Sequence, residues 1–259
     1  MAQSQQFRAV VRRALPWLVP ILILAAWEYA ARTGLLSARV LPEPWAVLKA
    51  AWHLLQTGEL QSNLKISAGR AFAGLVVGGG LGLLLGLLTG LSRRAEVALD
   101  TTVQMLRNVP PLAMIPLVIL WFGIDEGAKL FLVALGVFFP LYLNTFHGIR
   151  SVDRGLIEMA RSYGLSGASL YRHVILPGAL PSILVGLRYS LGLMWVLLIV
   201  AETISSSSGI GYMTMNAREF LQTDVVLVGI LMYALLGKLA DVATKRLERL
   251  CLRWHPSYQ

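Results

Sequence analysis

Long apolar runs are the feature that most limits the folds open to this sequence. A helix rises about 1.5 Å per residue, so it needs about 20 residues to cross the hydrocarbon core of a membrane. Six segments are long and apolar enough to do this: residues 14–31, 70–91, 105–122, 128–147, 179–203 and 225–244. We therefore predict an all-α integral membrane protein with six transmembrane helices.

The composition supports this interpretation. Apolar residues make up 56% of the 259 residues and charged residues only 14%, whereas an ordinary soluble domain has about 25% charged residues. No polar segment is long enough to form a separate soluble domain, so we predict a single transmembrane domain over residues 1–259. Within it we distinguish an N-terminal span at 14–31, core spans at about 70–244 and a polar segment at about 151–177.

The net charge of +9 is explained by membrane topology. No basic run is interleaved with aromatic residues that could stack on bases, so the sequence predicts no nucleic-acid partner. Lysines and arginines instead cluster at the ends of the apolar runs, 14 on one side of the six predicted spans and 7 on the other. Because cytoplasmic loops carry the excess of these residues, both chain termini are predicted to lie in the cytoplasm.

The second predicted span carries a stripe of glycines at a strict spacing of four residues: Gly74, Gly78, Gly82, Gly86 and Gly90. On a helix this spacing makes one face without side chains, which lets a second backbone approach closely in lipid. Each interior glycine costs a helix about 1 kcal/mol relative to alanine, so close packing has to offset that cost. We expect packing against a helix of the same chain, with a subunit interface or a passage through the membrane as the alternatives.

Between the fourth and fifth predicted spans lies a polar segment, which includes the run EMARSYGLSGASLYRHVILPGALP at residues 158–181. This is more chain than a simple connection requires. Asp153 is placed to cap a helix at its N-terminus. The charged residues of that helix fall on one face, at spacings of four and three: Arg154, Glu158 and Arg161.

The same segment contains signals for a turn and a second helix. Gly164 falls where a helix ends in a residue of positive φ, which glycine adopts freely. Ser166 can cap a second short helix, and Pro177 is expected to stop it at the preceding residue. We therefore expect a helix, a sharp turn and a helix on the cytoplasmic side, with a solvated loop as the alternative.

At these residues the sequence resembles the permease subunits of bacterial ATP-binding-cassette importers. Their cytoplasmic segment carries the pattern E-A-A-x3-G-x9-I-x-L-P, which five residues match here at the right intervals: Glu158, Ala160, Gly164, Leu176 and Pro177. Met159 and Val174 replace one alanine and the isoleucine of that pattern. The resemblance covers nearly the whole chain. Runs such as QMLRNVPPLAMIPLVILWFGIDE and AETISSSSGIGYMTMNAREFLQTD are similar to those of aliphatic sulfonate permeases in particular.

The resemblance implies roles for the whole chain and for single residues. It implies a multi-pass permease subunit of the bacterial inner membrane, whose cytoplasmic segment couples to an ATPase subunit. The residues that it assigns to this coupling are Glu158, Met159, Ala160, Arg161, Gly164, Leu176 and Pro177. It also implies two copies of the ATPase, a second copy of the permease and a periplasmic or lipid-anchored substrate-binding protein, with membrane lipids around the spans.

The chain itself has no phosphate-binding loop. Gly237 and Lys238 are followed by Leu239, where the pattern G-x4-G-K-[ST] needs serine or threonine. We therefore predict that the chain is not an enzyme and binds no cofactor, and that ATP and Mg²⁺ bind the ATPase partner. The four histidines lie in different segments without the spacing of metal ligands, so no metal site is predicted.

Few polar residues in or beside the spans are candidates for the transport path or its outer gate: Arg188, Glu202, Ser205 and Ser206. A charge at the bilayer centre costs at least about 2.5 kcal/mol, so such residues are functional candidates by default. Structural anchoring is the alternative for Arg188, and simple placement at the membrane interface is the alternative for Glu202.

Three classes of function are weighed against each other. The leading hypothesis is the membrane subunit of an importer that moves aliphatic sulfonates inward, with taurine, nitrate or another small anion as the alternative substrate. A secondary transporter or channel would need a relay of buried carboxylates or paired inverted repeats. An intramembrane enzyme would need a nucleophile with its base or clustered metal ligands. The sequence contains none of these features.

Overall fold

A computed structural model describes residues 2–37 and 39–254, with their side chains except those of residues 2–14, 16, 17 and 205. In this part of the chain the regular elements are helices and there is no strand. The α-helices are α1 Ala2–Arg32, α2 Pro44–Gln56, α3 Glu59–Gly74, α4 Gly80–Leu91, α5 Arg93–Arg107, α6 Ile115–Phe122, α7 Glu126–Arg150, α8 Arg154–Ser162, α9 Gly167–Leu170, α10 Leu176–Ser205, α11 Ile210–Glu219 and α12 Thr223–Cys251. Two π-helical turns, Leu75–Gly79 and Tyr171–Ile175, and a 3₁₀ turn, Pro111–Met114, complete the helical elements.

The chain divides into two compact units. The smaller unit contains Met1–Gln61 and Met213–Leu231, and the larger contains Ser62–Tyr212 and Met232–Gln259. Within the smaller unit, the indole N–H of Trp27 donates to the carbonyl of Pro42 over 3.1 Å and ties the end of α1 to the start of α2. The candidate functional residues described below lie in the larger unit.

Four helical stretches are long and apolar enough to cross a membrane: Glu59–Leu91, Glu126–Arg150, Gly167–Ile204 and Thr223–Cys251. The bent pair of α5 with the helix Pro111–Phe122 makes a fifth crossing if the two pieces are taken together. Helix α1 covers the predicted first span at 14–31, part of which lies outside the described side chains. Six crossings therefore stay a prediction, whereas the all-helical membrane fold is established for the described residues.

The second crossing begins earlier than the sequence predicts. Residues 32–69, between the first and second predicted spans, contain α2 and α3, and the apolar stretch starts at Glu59 instead of residue 70. Hydropathy placed the start too late because α3 carries polar residues that are buried in the larger unit: Asn63, Ser67 and Arg70. Residues 205–224, between the fifth and sixth predicted spans, likewise contain a helix, α11.

The third crossing is broken, and its predicted start at residue 105 is wrong. Residues up to Arg107 belong to α5, and the chain then turns by 83° into the helix Pro111–Phe122. Pro110 and Pro111 have no backbone N–H to continue the helix of α5, which explains the break. The 12 residues after the break are too few to cross a membrane alone, so α5 is needed for a crossing.

The broken crossing runs along α7 in the opposite direction. In the C-terminal half of α7, the hydroxyl of Tyr142 donates to Asp100 of α5 over 2.8 Å. Towards the N-terminal end of α7, Val118 of α6 is buried against Ala128 and Leu132. The break between α5 and α6 therefore lies beside the middle of α7.

The glycine stripe packs against α7 of the same chain. A Cβ atom added at Gly82 would lie 2.5 Å from the carbonyl oxygen of Phe138, which is closer than real Cβ contacts. At Gly86 and Gly90 the nearest atoms belong to Thr145 and Ile149, at 2.7 and 2.8 Å. At Gly74 and Gly78 the added atom would overlap Val133 and Ala134. Any side chain on this face would separate the two helices.

The polar segment after α7 folds partly as predicted. Asp153 caps α8, its carboxylate accepting from the N–H of Gly155 over 2.7 Å, and Gly164 ends the turn with φ of +86°. The predicted stop at Pro177 is wrong, because the helix that begins at α9 continues through a π-helical turn into α10. Proline is tolerated in the first turn of a helix, and a π-helical turn adjusts the hydrogen bonds before it.

Candidate functional site

A buried arginine organises one end of the larger unit. Arg70, 6% exposed, donates from Nη1 to Oε1 of Glu202 over 2.8 Å, and Glu202 is only 1% exposed. Its other nitrogens, Nη2 and Nε, donate to the two carboxylate oxygens of Glu126 over 2.5 and 2.6 Å. This forked pairing is the geometry that guanidinium groups favour with carboxylates. The ammonium group of Lys129 adds a 3.2 Å contact with Glu126.

The carboxylate of Glu202 is fully satisfied inside the chain. Besides Arg70, it accepts from the hydroxyl of Ser67 over 2.7 Å, the backbone N–H of Gly211 over 2.9 Å and the hydroxyl of Tyr233 over 3.0 Å. A buried carboxylate is very costly without such partners. In this arrangement Glu202 joins α3, α10, α11 and α12 and does not face an open passage.

The same cluster fixes the loop between α10 and α11. The N–H of Gly209 donates to the side-chain carbonyl of Asn63 over 2.8 Å, and the N–H of Ile210 donates to Ser67 over 2.9 Å. The carbonyl of Ser208 accepts from Arg70 over 2.7 Å and from the hydroxyl of Ser206 over 2.7 Å. Of the two serines predicted at an outer gate, Ser206 therefore bonds within this loop. The side chain of Ser205 lies outside the described residues.

Sequence reasoning missed Arg70 because, as the first residue of the predicted second span, it was counted with the charges at the ends of the apolar runs. The signal that could have found it is its position, four residues before Gly74 and therefore in the register of the glycine stripe. Ser67 lies one turn earlier on the same face. The helix face that carries the glycines thus continues into the buried residues that hold Glu202.

Arg188 forms an ion pair within the same chain. Its Nε and Nη2 atoms both lie 2.9 Å from Oδ1 of Asp241 on α12, and its Nη1 lies 3.9 Å from Glu248. Asp241 also contacts Lys245 over 2.9 Å. Because its charge is neutralised by α12, the structure favours the anchoring alternative for Arg188 over a site for an anion.

The first helix of the coupling segment presents unpaired charges. We define the coupling segment as residues 151–177. The side chains of Arg154, Glu158 and Arg161 are exposed, and within the described residues they form no ion pair with one another, although their spacing would allow it. Glu158 is therefore available to a partner.

Beside these charges lies an apolar cavity of about 560 Å³. Met159 of α8 and Tyr163, the residue after that helix, line it and are 52% and 81% exposed. Pro177 and Trp254 line it from α10 and from the end of the chain that the structure describes. Ala160, another lining residue, is 3% exposed because it packs in the core under α8. Leu176, in the first turn of α10, is 37% exposed.

In the part of the chain that the structure describes, no three His, Cys, Asp or Glu side chains are grouped to hold a metal ion.

Comparison with known proteins gives a consistent set of relatives. Residues 78–252 match the family described as binding-protein-dependent transport system inner membrane component. A protein of Escherichia coli (strain K12) that is named as an aliphatic sulfonates transport permease protein, SsuC, is 66% identical over 246 residues, covering 95% of this chain and 94% of that protein. A protein of the same name from Bacillus subtilis (strain 168) is 50% identical over 242 residues, covering 93% and 88%.

A solved structure shares the fold. The crystal structure of an amino acid ABC transporter with histidines aligns with a TM-score of 0.58 and covers 76% of this chain and 97% of the chain compared. Sequence identity in that alignment is 20%. This likeness concerns the helical architecture alone.

Proposed function

Because the chain belongs to the family of binding-protein-dependent transport system inner membrane components, we propose that it is the permease subunit of an ATP-driven importer of aliphatic sulfonates. The observation that carries this proposal is the 66% identity, over 95% of the chain, to a protein named for aliphatic sulfonate transport. A second relative of that name at 50% identity supports the same substrate class. Taurine, nitrate or another small anion is the alternative that the experiment below separates.

In this proposal, the ATPase subunits hydrolyse ATP and the permease carries the substrate across the membrane. Residues 1–259 act as one transmembrane domain in the inner membrane, and two ATPase subunits hold ATP and Mg²⁺. A second copy of the permease completes the path, and a periplasmic or lipid-anchored binding protein delivers the substrate. The excess of Lys and Arg at the ends of the predicted spans, 14 against 7, supports an orientation with both termini in the cytoplasm.

The coupling segment is the proposed contact with the ATPase. Its exposed apolar residues, Leu156, Met159 and Tyr163, lie beside exposed and unpaired charges on α8. An exposed apolar patch with a polar border is typical of a protein interface. The helix that begins after Gly164 continues directly into α10, so a movement of this contact reaches a membrane-crossing helix through the turn at Gly164.

A growth experiment tests the substrate. We expect a strain without this permease to grow on sulfate but not on pentanesulfonate as its sole sulfur source, and to recover when the gene is restored. Taurine as sole sulfur source and nitrate as sole nitrogen source separate the alternatives. Normal growth on pentanesulfonate, with loss of growth on taurine or nitrate alone, contradicts the proposed substrate.

Substitution of Gly164 tests the coupling contact. Its φ of +86° disfavours any β-branched residue, and since no atom lies within 4 Å of an added Cβ, backbone strain is the only obstacle. For Gly164→Val we expect a cost of about 1–2 kcal/mol at the turn. The six predicted spans should still insert, but the ATPase should co-purify poorly or lose its stimulation by the loaded binding protein.

The matched control for this test is Gly164→Asn. Asparagine accepts a positive φ better than valine does, so this variant should keep the turn and the ATPase contact. Equal and normal ATPase pull-down for both variants would show that the segment is only a connection.

A further inference from the structure

An open groove of about 600 Å³ lies beside the break between α5 and α6. This volume falls within the range of small-molecule sites in proteins, about 300–1,000 Å³. Apolar residues of α7 and α10 form most of its wall, among them Leu135, Phe139, Leu193 and Val196. Arg107, the last residue of α5, lines the same groove.

The groove lies beside the middle of a helix long enough to cross a membrane. Its lining residues on α7 run from Leu135 to Asn144, the tenth to the nineteenth of the 25 residues in that helix. A charge beside the middle of such a helix is costly and is retained where it lines an aqueous path or meets an opposite charge.

Within the described residues, Arg107 has no hydrogen-bond or ion-pair partner for its guanidinium, and its side chain is exposed. Three other cations in the larger unit's crossings are paired within the chain. Arg70 is paired with Glu202, Lys129 with Glu126 and Arg188 with Asp241. The charge on Arg107 is thus uncompensated within the described residues, and Arg107 lines a groove whose walls are mostly apolar apart from Asn144 and Tyr189.

We propose that this groove is a substrate-binding site along the transport path. In it, Arg107 contacts the anionic head of the substrate, and the apolar walls of α7 and α10 contact its alkyl chain. The inference rests on the proposed function and assigns residues to it. An aliphatic sulfonate has a permanent anion at one end and a hydrocarbon at the other, which matches a groove with one cation and apolar walls. A guanidinium donates two parallel hydrogen bonds to oxyanions of this kind.

The test uses the complete complex of permease, ATPase and binding protein in vesicles, with uptake of pentanesulfonate as the readout. Arg107→Gln should lower uptake about tenfold, since a hydrogen bond to a charged group is lost. Complex yield and ATPase activity without substrate should stay at the level of the unmodified complex. Arg107→Lys should retain more uptake than Arg107→Gln because it keeps the charge, but less than the unmodified complex because an ammonium group cannot make the paired hydrogen bonds.

Arg94→Gln is the matched control. Arg94 is an exposed arginine near the other end of α5, away from the groove, and this variant should leave uptake unchanged. Each variant is measured in vesicles of pure phosphatidylcholine and in vesicles that also contain phosphatidylglycerol. An effect of Arg107→Gln only in the anionic vesicles would identify a lipid contact and overturn the inference.

The apolar wall is tested through chain length. Val196, 52% exposed on the groove wall, is replaced by tryptophan to narrow the groove, and Leu84→Trp on a face of α4 outside the groove is the control. Val196→Trp should lower uptake of octanesulfonate about fivefold more than uptake of methanesulfonate, because the narrowed groove can bury less of a longer alkyl chain. Leu84→Trp should leave uptake of both sulfonates unchanged.

These outcomes distinguish a failure of the groove assignment from a failure of the proposed function. Normal uptake by Arg107→Gln, or equal effects of Val196→Trp on both chain lengths, overturns the assignment of this groove while the unmodified complex still transports sulfonate. Absence of sulfonate uptake by the unmodified complex overturns the proposed function and this assignment together.

Discussion

The charged groups at the two ends of the larger unit differ in whether they have partners within the chain. At the end that holds Arg70 and Glu202, buried charged and polar groups are satisfied by neighbours in the same chain. In the coupling segment, Arg154, Glu158 and Arg161 are exposed and have no ion-pair partners in the described chain. One end is therefore completed by intramolecular contacts, whereas the other offers its polar groups to another molecule.

This difference separates residues that stabilise the fold from residues that are available to contact a partner. A group that is buried and satisfied supports the fold, so its loss should lower stability first. A group that is exposed and unpaired contributes little to stability, so its loss should affect the partner first. The three predictions below follow this division, from the largest expected change in stability to the smallest.

The largest effect is expected for Glu202→Gln. The variant keeps the size of the side chain but removes the charge opposite Arg70, and loss of one member of a buried pair costs about 3–5 kcal/mol. Thermal unfolding of the purified complex should show a marked drop in Tm. The control is Glu28→Gln, which removes an exposed i,i+4 pair with Arg32 worth about 1 kcal/mol or less. Equal shifts in the two variants would contradict the contrast.

A smaller loss of stability is expected for Gly82→Ala. The added methyl group would lie 2.5 Å from the carbonyl of Phe138, and overpacking of this kind costs about 1–3 kcal/mol. Gly80→Ala on the same helix meets no atom within 4 Å and should be neutral or stabilise by up to about 1 kcal/mol through helix propensity. Unfolding temperatures of the two variants measure the difference directly. If both behave alike, α4 does not depend on its contact with α7.

The smallest change in stability is expected for Glu158→Lys, although its effect on the partner should be clear. No ion pair is lost within the described chain, so the free energy of unfolding should change by less than about 0.5 kcal/mol. Binding of the ATPase should weaken, as measured by pull-down and by ATPase stimulation. Glu219→Lys, an exposed acid at the end of α11, is the control and should leave both unchanged. A large fall in Tm with normal pull-down would place Glu158 among the stabilising residues.

The features that depend on neighbouring residues in sequence were predicted well. Apolar runs of sufficient length gave the all-helical membrane class, and the cap at Asp153 and the positive φ at Gly164 were read from residue type alone. Such signals report local preferences, which act within one turn of helix. They gave no information on which polar residue would be paired.

The errors in the prediction have two physical causes. A helix was expected to stop at Pro177, but proline is tolerated in the first turn of a helix, and the π-helical turn before it adjusts the hydrogen bonds. Arg70 was counted with the charges at the end of a predicted span, but its position is decided by Glu126 and Glu202, which are far away in sequence. A scale of single residues cannot include the partner that neutralises a charge.

Residue order alone predicts a helical membrane protein, because apolar length and the spacing of glycines are properties of a single segment. It also indicates the family, through a pattern of residues in the coupling segment. Which charges are available for function depends instead on tertiary contacts. The free energy of a buried or intramembrane charge depends on whether an opposite charge lies within hydrogen-bond distance, and Arg188 has one whereas Arg107, within the described residues, has none.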